Sequence, residues 1–247
     1  MKKLKYLDLR REVIDTCLAM NAEGINQGTS GNVSARTDEG FLITASGIAY
    51  STMKPVHVVE LDLDGHYSGD YLPSTEWRMH MDIFRARPEA QAIVHVHSTY
   101  ATAMAVLRQE IPAFHYMIGV GGGTSIRVSD YAEFGTQDLS DTMLKALTDR
   151  KACLLANHGQ ICFGPSLDKA LWLAGEVEAL CHQYWAATLA GKPVVLDEAQ
   201  MTSVLKRFKS YGKQPSDMEK ESDPAVYAPK RKDLPDVDVK KSKKKKT

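Results

Sequence analysis

Two histidines lie two positions apart in the apolar segment AIVHVHS, at His95 and His97. Side chains at positions i and i+2 of a β-strand project from the same face, so the two imidazoles could converge on one divalent metal ion. A third nitrogen could come from His158, in the segment ANHG. Three histidines with a fourth position open are typical of a catalytic zinc site. The spacing is also compatible with buried histidines that are hydrogen-bonded to the backbone.

A carboxylate, Glu76, stands at the predicted start of a helix in the segment PSTEWRMH. The helix macrodipole favours a negative charge there whatever the role of the residue. Glu76 could also be a general base or a fourth metal ligand. His80 lies four residues further along the same helical face and is a rival ligand. The spacing alone leaves the role of Glu76 open.

Two segments rich in glycine and hydroxyl residues could wrap a small anion: residues 26–32 (NQGTSGN) and 44–47 (TASG). Small residues let backbone N–H groups and hydroxyls surround such a ligand. Neither segment matches a P-loop or a dinucleotide-binding glycine motif, so a nucleotide ligand is disfavoured. The glycine run at residues 121–123 predicts a flexible loop.

Alternating helix and strand patterns must position these side chains. Apolar residues at helical spacing predict helices over residues 5–24, 75–87, 99–108, 136–149, 167–189 and 197–208. Either Ser74 or Thr75 is expected to cap the second helix. Shorter apolar runs predict strands over residues 32–35, 41–44, 56–63, 92–97, 152–156 and 160–163. Because both turns and helices separate the strands, the sequence predicts an α/β fold with a mixed sheet that carries helices on its faces.

The composition is that of a folded protein. The chain has 247 residues, of which 43% are hydrophobic, and this excludes a fully disordered chain. No apolar run approaches the roughly 20 residues of a transmembrane helix, and charges interrupt the N-terminus where a signal peptide would be apolar. The four cysteines form no CxxC pair, which favours reduced thiols in the cytoplasm. These features predict a cytoplasmic protein with no membrane partner.

The charge is divided unevenly along the chain. The sequence carries 31 basic and 31 acidic residues, but residues 213–247 contain 11 basic and 7 acidic ones. This segment has four prolines and ends KKSKKKKT, with no aromatic residue among the lysines. It predicts a disordered lysine-rich tail rather than a nucleic-acid-binding element. We therefore expect a folded domain over residues 1–212, a tail over residues 213–247, and no nucleic-acid partner.

Eight motifs, in order, resemble those of the class II aldolase/adducin-head family from about residue 11 to residue 212. They are NQGTSGNVSAR, FLITASGIAY, LPSTEWRMH, AIVHVHS, PAFHYMIGVGGG, YAEFGT, NHG and FKSYG. Within the family the chain most resembles the aldolases that cleave L-fuculose 1-phosphate. The resemblance implies a three-layer α/β/α sandwich with a central mixed, mostly antiparallel sheet. It also implies a homotetramer with active sites at subunit interfaces.

The resemblance also implies roles for individual residues. His95, His97 and His158 match zinc ligands, with Mn²⁺ or Co²⁺ as alternative metals. Glu76 matches a carboxylate that binds the metal at rest and acts as acid and base. The positions that match a phosphate-binding cradle are Thr29, Asn32, Ser46, Gly47, Ser74 and Thr75. Ser46 and Thr75 replace the family's Thr and Ser and keep the hydroxyl.

Three aromatic residues match the other end of the family's site. Tyr116 and Phe134 match positions that line the aldehyde end, and Tyr211 matches a tyrosine that reaches the site of a neighbouring subunit. Tyr116 and Tyr211 are expected to be catalytic together with Glu76, and Phe134 to bind substrate.

A family member with these residues would cleave a ketose 1-phosphate reversibly to dihydroxyacetone phosphate and a small aldehyde, through an enediolate that the metal stabilises. L-fuculose 1-phosphate and the 5-deoxypentulose or methylthioribulose 1-phosphates are alternative substrates. An L-ribulose-5-phosphate 4-epimerase is disfavoured because that enzyme has Asp where Glu76 stands. A sugar-phosphate dehydratase or decarboxylase is a further alternative. A non-enzymatic adducin-like interaction module is disfavoured by the three histidines and Glu76.

Overall fold

The computed structural model describes residues 4–209, which form one sheet with helices on both faces. The helices are α1 (Leu7–Ala22), α2 (Trp77–Ala86), α3 (Thr99–Val106), α4 (Gln137–Ala146), α5 (Leu167–Ala190) and α6 (Glu198–Phe208). The strands are β1 (Asn32–Thr37), β2 (Gly40–Thr44), β3 (Val58–Leu61), β4 (Tyr67–Ser68), β5 (Ala92–Val96), β6 (Ala152–Leu155) and β7 (Gly159–Gly164). Short 3₁₀ helices cover Tyr50–Thr52, Pro55–His57 and Tyr116–Gly121. None of these helices is long and apolar enough to cross a membrane.

The seven strands form a single sheet in the order β4-β3-β2-β1-β5-β7-β6. Neighbouring strands pair antiparallel throughout, and the parallel component is an isolated bridge between Val128 and Leu154. The predicted α/β sandwich with a mostly antiparallel sheet is confirmed. At the centre, β1 pairs with β5 so that Asn32 lies opposite His95. The predicted tail over residues 213–247 lies outside the described residues.

Alternation along the strands divides the core between the two faces. On β5, Ala92, Val94 and Val96 join the apolar cluster that includes α1, α3 and α5. Ile93 joins the second cluster, which includes α2 and α4. Because side chains two apart share a face, His95 projects toward α2. β5 therefore places the His95 side chain on the side of the sheet where α2 begins.

The start of α2 differs from the prediction. The helix begins at Trp77, and Glu76 occupies the N-cap position without a capping bond from its side chain. The expectation that Ser74 or Thr75 would cap this helix was therefore wrong. Ser74 instead closes the preceding turn, since its carbonyl accepts from Trp77 N–H at 3.1 Å and its hydroxyl from Glu76 N–H at 3.3 Å. The Glu76 side chain is thereby free to turn toward the histidines.

The glycine run at residues 121–123, predicted as a flexible loop, is instead packed. The run begins at the last residue of the 3₁₀ helix Tyr116–Gly121 and lies against Arg150. A Cβ atom added to Gly123 would overlap the guanidinium of Arg150. Arg150 is 8% exposed and donates from Nε to the Ser125 carbonyl at 3.0 Å. The absence of a side chain therefore makes room for a buried arginine.

The four cysteines are packing residues. Cys17, Cys153, Cys162 and Cys181 are all free and buried. Burial raises the pKa of each thiol above its ordinary value, which leaves the sulfur protonated and unreactive.

Candidate metal centre and active site

Four of the predicted residues converge where β5, the β6–β7 turn and the start of α2 meet. One ligand atom from each of Glu76, His95, His97 and His158 lies within 4.8 Å of all the others. His95 Nε2 is 3.0 Å from His97 Nε2 and 3.1 Å from Glu76 Oε2, and His158 Nε2 is 3.1 Å from Glu76 Oε1. Two ligand atoms of a tetrahedral zinc ion lie about 3.3 Å apart. The spacing therefore fits one divalent ion held by four side chains.

The hydrogen bonding of His95 fixes the atom that faces this cluster. Its Nδ1 lies 2.8 Å from the carbonyl oxygen of Gln160, which can only accept, so Nδ1 carries a hydrogen. Nε2 is then the nitrogen with a lone pair to offer, and it faces His97 and Glu76. A backbone partner on the other ring nitrogen is the usual arrangement behind a metal-binding histidine.

One oxygen of Glu76 lacks a hydrogen-bond partner within residues 4–209. Glu76 is 5% exposed, and its buried Oε1 accepts no hydrogen bond despite the nearby His158 nitrogen. An unpaired buried carboxylate oxygen is costly unless another group satisfies it. A divalent cation among these four side chains would do so, and a set of three imidazoles and one carboxylate suits such an ion.

The electrostatics of the site follow from its burial. Burial opposes ionisation of Glu76, but the positive charge of His95 and the contacts with His158 hold the pKa of Glu76 well below its usual range. Burial likewise opposes protonation of His95, yet Glu76 raises its pKa. Burial and the neighbouring imidazoles lower the pKa of His97 to about 3. Glu76 is thereby held as a carboxylate, the form that can bind a divalent cation.

The NHG motif positions His158 through a tight turn. Asn157 has a left-handed backbone, with φ of 55°, and its N–H donates to the Ala105 carbonyl at 3.1 Å. The next residue, Gly159, runs close against β5: a Cβ there would lie 2.5 Å from the Val96 carbonyl and 2.9 Å from the His97 ring. Glycine is required at this position because any side chain would displace the His97 ring from the cluster.

His80, predicted as a rival ligand, does not join the cluster. Its Nε2 lies 2.5 Å from Asn32 Oδ1, and its Nδ1 lies 2.6 Å from Ser34 Oγ. Asn32 Nδ2 in turn donates to Glu76 Oε2 at 2.9 Å. Burial, reinforced by the charge of His95, lowers the pKa of His80 to about 3. Both ring nitrogens of His80 are thus occupied within the protein.

A cavity of about 370 Å³ opens onto the cluster and supplies room for a substrate. Its lining residues are Ser30, Thr75, Glu76, His97, Tyr131, Ala132, Phe134, Asn157 and His158. Three of these residues were not predicted as site residues: Ser30, Tyr131 and Asn157. Each of them lies within one of the motifs that resemble the family. Tyr116 is absent from this lining and stacks instead on Phe208, with ring centroids 6.3 Å apart. Tyr211 lies outside the described residues.

The predicted phosphate-binding positions are partly brought together. Ser46 N–H donates to the Leu72 carbonyl at 3.1 Å, and Ser74 N–H to the Thr44 carbonyl at 2.9 Å. This pairing holds residues 44–47 beside residues 72–75. Ser74 and Asn32 are buried, whereas Thr29, Ser46, Gly47 and Thr75 are exposed. Of the six, Thr75 lines the cavity.

A larger cleft of about 510 Å³ lies between α1 and α5 but suits a phosphorylated ligand poorly. Its lining includes the carboxylates of Glu12, Asp15 and Asp168 and no lysine, arginine or histidine. Like charges would repel a phosphate there. The cavity above the histidines is therefore the better candidate for the active site.

Comparison with known proteins identifies a family and several close relatives. Residues 11–185 match the family model described as "Class II Aldolase and Adducin N-terminal domain". The chain is 47% identical over 205 residues to the L-fuculose phosphate aldolase of Escherichia coli (strain K12), covering 83% of this chain and 95% of that protein. It is 45% identical over 204 residues to a 5-methylthioribulose-1-phosphate/5-deoxyribulose-1-phosphate aldolase of Rhodospirillum rubrum, covering 83% and 92%.

Solved structures give the same result at the level of the fold. A structure titled L-fuculose 1-phosphate aldolase superposes with a TM-score of 0.81 at 36% sequence identity. The match covers 85% of this chain and the whole of that chain.

Proposed function

The chain belongs to the class II aldolase and adducin N-terminal domain family, and on that premise we propose that it is a metal-dependent aldolase of ketose 1-phosphates. It would cleave its substrate reversibly to dihydroxyacetone phosphate and a small aldehyde. The observation that carries this proposal is the convergence of His95, His97, His158 and Glu76 at the floor of a cavity. A non-enzymatic adducin-like interaction module would have no use for this arrangement.

We propose Zn²⁺ as the metal, with Mn²⁺ and Co²⁺ as alternatives. Three histidines and one carboxylate are a typical ligand set for catalytic zinc. When bound, the cation supplies Lewis-acid polarisation of the substrate oxygens, which is worth several kcal/mol. Measuring the metal content of the purified protein identifies the ion.

Glu76 would move the proton at C3 of the substrate. In the cleavage direction the bond between C3 and C4 breaks, the electron pair stays on C3, and Glu76 delivers a proton to that carbon. In the direction of synthesis Glu76 removes the same proton. The unpaired Oε1 atom, on a residue that lines the cavity, supports this role.

A tyrosine would take the proton from the C4 hydroxyl during cleavage, and we assign this role to Tyr211 of a neighbouring subunit. Tyr116 is 49% exposed and lies outside the cavity of its own chain. We propose that Tyr116 acts in the site of a second copy of the chain. Both assignments accord with a homotetramer whose sites lie at subunit interfaces, and sedimentation analysis tests that assembly.

The substrate phosphate would be held by neutral donors rather than by lysine or arginine. Residues 26–32, 44–47 and 72–75 supply hydroxyls and backbone N–H groups, which can surround an anion without any formal charge. The proposed contacts are Thr29, Asn32, Ser46, Gly47, Ser74 and Thr75.

The aldehyde end of the substrate distinguishes the candidates. Relatives at 47% and 45% identity carry the names of aldolases for L-fuculose phosphate and for methylthioribulose or deoxyribulose 1-phosphate. A panel of ketose 1-phosphates, scored by kcat/KM and by the aldehyde released, separates these substrates. Release of lactaldehyde, acetaldehyde or methylthioacetaldehyde identifies each one. Conversion of L-ribulose 5-phosphate to its C4 epimer without net cleavage would favour the epimerase instead.

We further propose that residues 1–212 form the catalytic domain and that residues 213–247 are dispensable for catalysis. The family model ends at residue 185, and the described helices end at Phe208. Deleting residues 215–247 should leave assembly and kcat/KM within about twofold of the full chain. A monomeric or inactive truncation would contradict this division. The free, buried cysteines agree with the cytoplasmic location that we also propose.

A further inference from the structure

A row of hydrogen bonds connects Glu76 to a buried histidine that the proposed reaction leaves unused. The row runs from Glu76 through Asn32 and His80 to Ser34. The exposed fractions of these residues are 5% for Glu76, 3% for Asn32, and 0% for both His80 and Ser34. Because the four side chains are shielded from bulk water, their polar atoms depend on one another for hydrogen bonds.

The carboxylate end of the row fixes the direction of every bond in it. An ionised carboxylate can only accept, so Asn32 presents its NH₂ group to Glu76 and its carbonyl oxygen to His80. His80 Nε2 therefore carries a hydrogen and donates it to Asn32. His80 Nδ1 is left to accept from the Ser34 hydroxyl. The imidazole is neutral, and each hydrogen in the row points toward Glu76.

Two sequence spacings create this row. Asn32 and Ser34 are two apart on β1 and share one face of the sheet. Glu76 and His80 are four apart at the start of α2 and share one face of the helix. Docking α2 onto β1 interleaves the two pairs, so that each strand residue contacts a helix residue.

We propose that His80 is a positioning residue that holds the Asn32 amide in the orientation that donates to Glu76 Oε2. A flipped amide would set its carbonyl oxygen against the carboxylate, which is repulsive, and would lose the hydrogen bond that His80 Nε2–H donates to Asn32. With Oε2 held by Asn32, Oε1 is the oxygen left for the metal or for the substrate proton. This inference rests on the proposed role of Glu76.

A matched pair of substitutions tests the inference. In His80→Gln the side-chain amide can stand near the position of Nε2 and still donate to Asn32. In His80→Asn the shorter side chain reaches only the position of Nδ1 and retains the Ser34 contact alone. We expect His80→Gln to bind Co²⁺ as tightly as the wild-type protein does. His80→Asn should bind it about 10–100-fold more weakly, the usual cost of losing support behind a metal ligand.

Two further readouts separate positioning from general loss of structure. The visible spectrum of bound Co²⁺ reports its ligand geometry, so it should change in His80→Asn and remain close to wild type in His80→Gln. In turnover, kcat should fall more than KM rises in His80→Asn. Ser140→Ala provides the control, since it removes a buried hydroxyl of the neighbouring α4 helix that donates to Asp82 on α2. It should lower the melting temperature without changing Co²⁺ affinity.

The outcomes distinguish this inference from the proposed function. If His80→Asn fails to fold, Ser34→Ala takes its place, because it removes the outer bond of the row and should weaken Co²⁺ binding about threefold. Wild-type affinity and spectrum in the folded His80→Asn protein, or in Ser34→Ala when it is used instead, overturn the positioning role and leave the aldolase proposal intact. A wild-type protein that neither binds Co²⁺ nor cleaves any ketose 1-phosphate overturns the proposed function itself.

Discussion

The candidate active site has a floor, which contains His95 and Glu76, and a rim, which contains Tyr131 and Phe134. The two regions differ in how far contacts within one chain fix the positions of their side chains. At the floor, His95 is 0% exposed and Glu76 is 5% exposed, and each has a hydrogen-bond partner that fixes its orientation. At the rim, Tyr131 is 58% exposed and Phe134 is 65% exposed. The floor is buried and hydrogen-bonded within the chain, whereas the rim is exposed to solvent.

This difference suggests a division of labour. Bond cleavage needs groups held in a fixed geometry, which a buried and hydrogen-bonded floor provides. Choice among aldehydes needs surfaces that can vary without disturbing that geometry, and an exposed rim meets this need. Changes at the floor should therefore abolish chemistry for every substrate, whereas changes at the rim should alter the ranking of substrates.

The broadest effect is expected from His95→Ala, which should remove metal binding as well as cleavage. This substitution removes one of three nitrogen ligands, so metal binding and cleavage should be lost together. A metal contribution of about 4 kcal/mol corresponds to about a thousandfold in kcat/KM. Metal content and kcat/KM are measured on the same preparation. His66→Ala is the control, because His66 is exposed on the turn before β4. Full activity in metal-free His95→Ala would contradict the role of the floor.

Glu76→Gln should retain much of the metal but slow proton transfer. The amide keeps the size of the carboxylate and one oxygen, yet it cannot take a proton from carbon. General acid–base catalysis typically contributes about 10²–10⁴-fold, so the exchange of the C3 proton of dihydroxyacetone phosphate with solvent should slow by about that factor. Exchange is followed by NMR in deuterated water. An unchanged exchange rate would remove Glu76 as the base.

His80 should make the stability of the protein sensitive to acid. Its pKa is lowered from the ordinary 6.5 to about 3 in the folded protein, mainly by burial. The unfolded chain therefore binds the proton first, so stability is complete above pH 6.5 and declines as the pH falls toward 3. Between pH 7.5 and pH 5 this amounts to about 2 kcal/mol. The free energy of unfolding, measured with urea, should therefore fall by about 2 kcal/mol less over this pH range in His80→Gln than in the wild-type protein. The same pH dependence in both proteins would contradict the prediction.

The sequence predicted the floor better than the rim for a physical reason. Strand alternation places His95 and His97 on one face, and NHG marks a tight turn, so local rules led to the histidine cluster. The link between Asn32 and His80 escaped these rules, because the two residues are 48 positions apart and meet only when α2 docks on β1. The same docking explains why His80, at ligand spacing from Glu76, binds Asn32 instead.

The rim was harder to predict because its residues follow neither the strand nor the helix periodicity. Tyr131 and Asn157 lie in loops, where no alternation or helical spacing indicates which side chains face a cavity. The resemblance to the family did identify Phe134, which lines the cavity as expected. Tyr116 was also identified, yet it stacks on Phe208 away from the cavity. The contact with Phe208 lies in another part of the fold, and no local sequence rule indicates it.

The smallest effect should come from Phe134→Ala, and it should depend on the substrate. An apolar contact to the aldehyde end is worth about 1–3 kcal/mol, so kcat/KM for a substrate with an apolar methylthio end should fall about tenfold or more. L-fuculose 1-phosphate, whose aldehyde end carries a hydroxyl, should lose less. Metal content and C3 proton exchange should not change, because Phe134 has no part in the floor. A uniform loss across all substrates, with slower exchange, would show that the rim also sets the chemistry and would remove the division between the two regions.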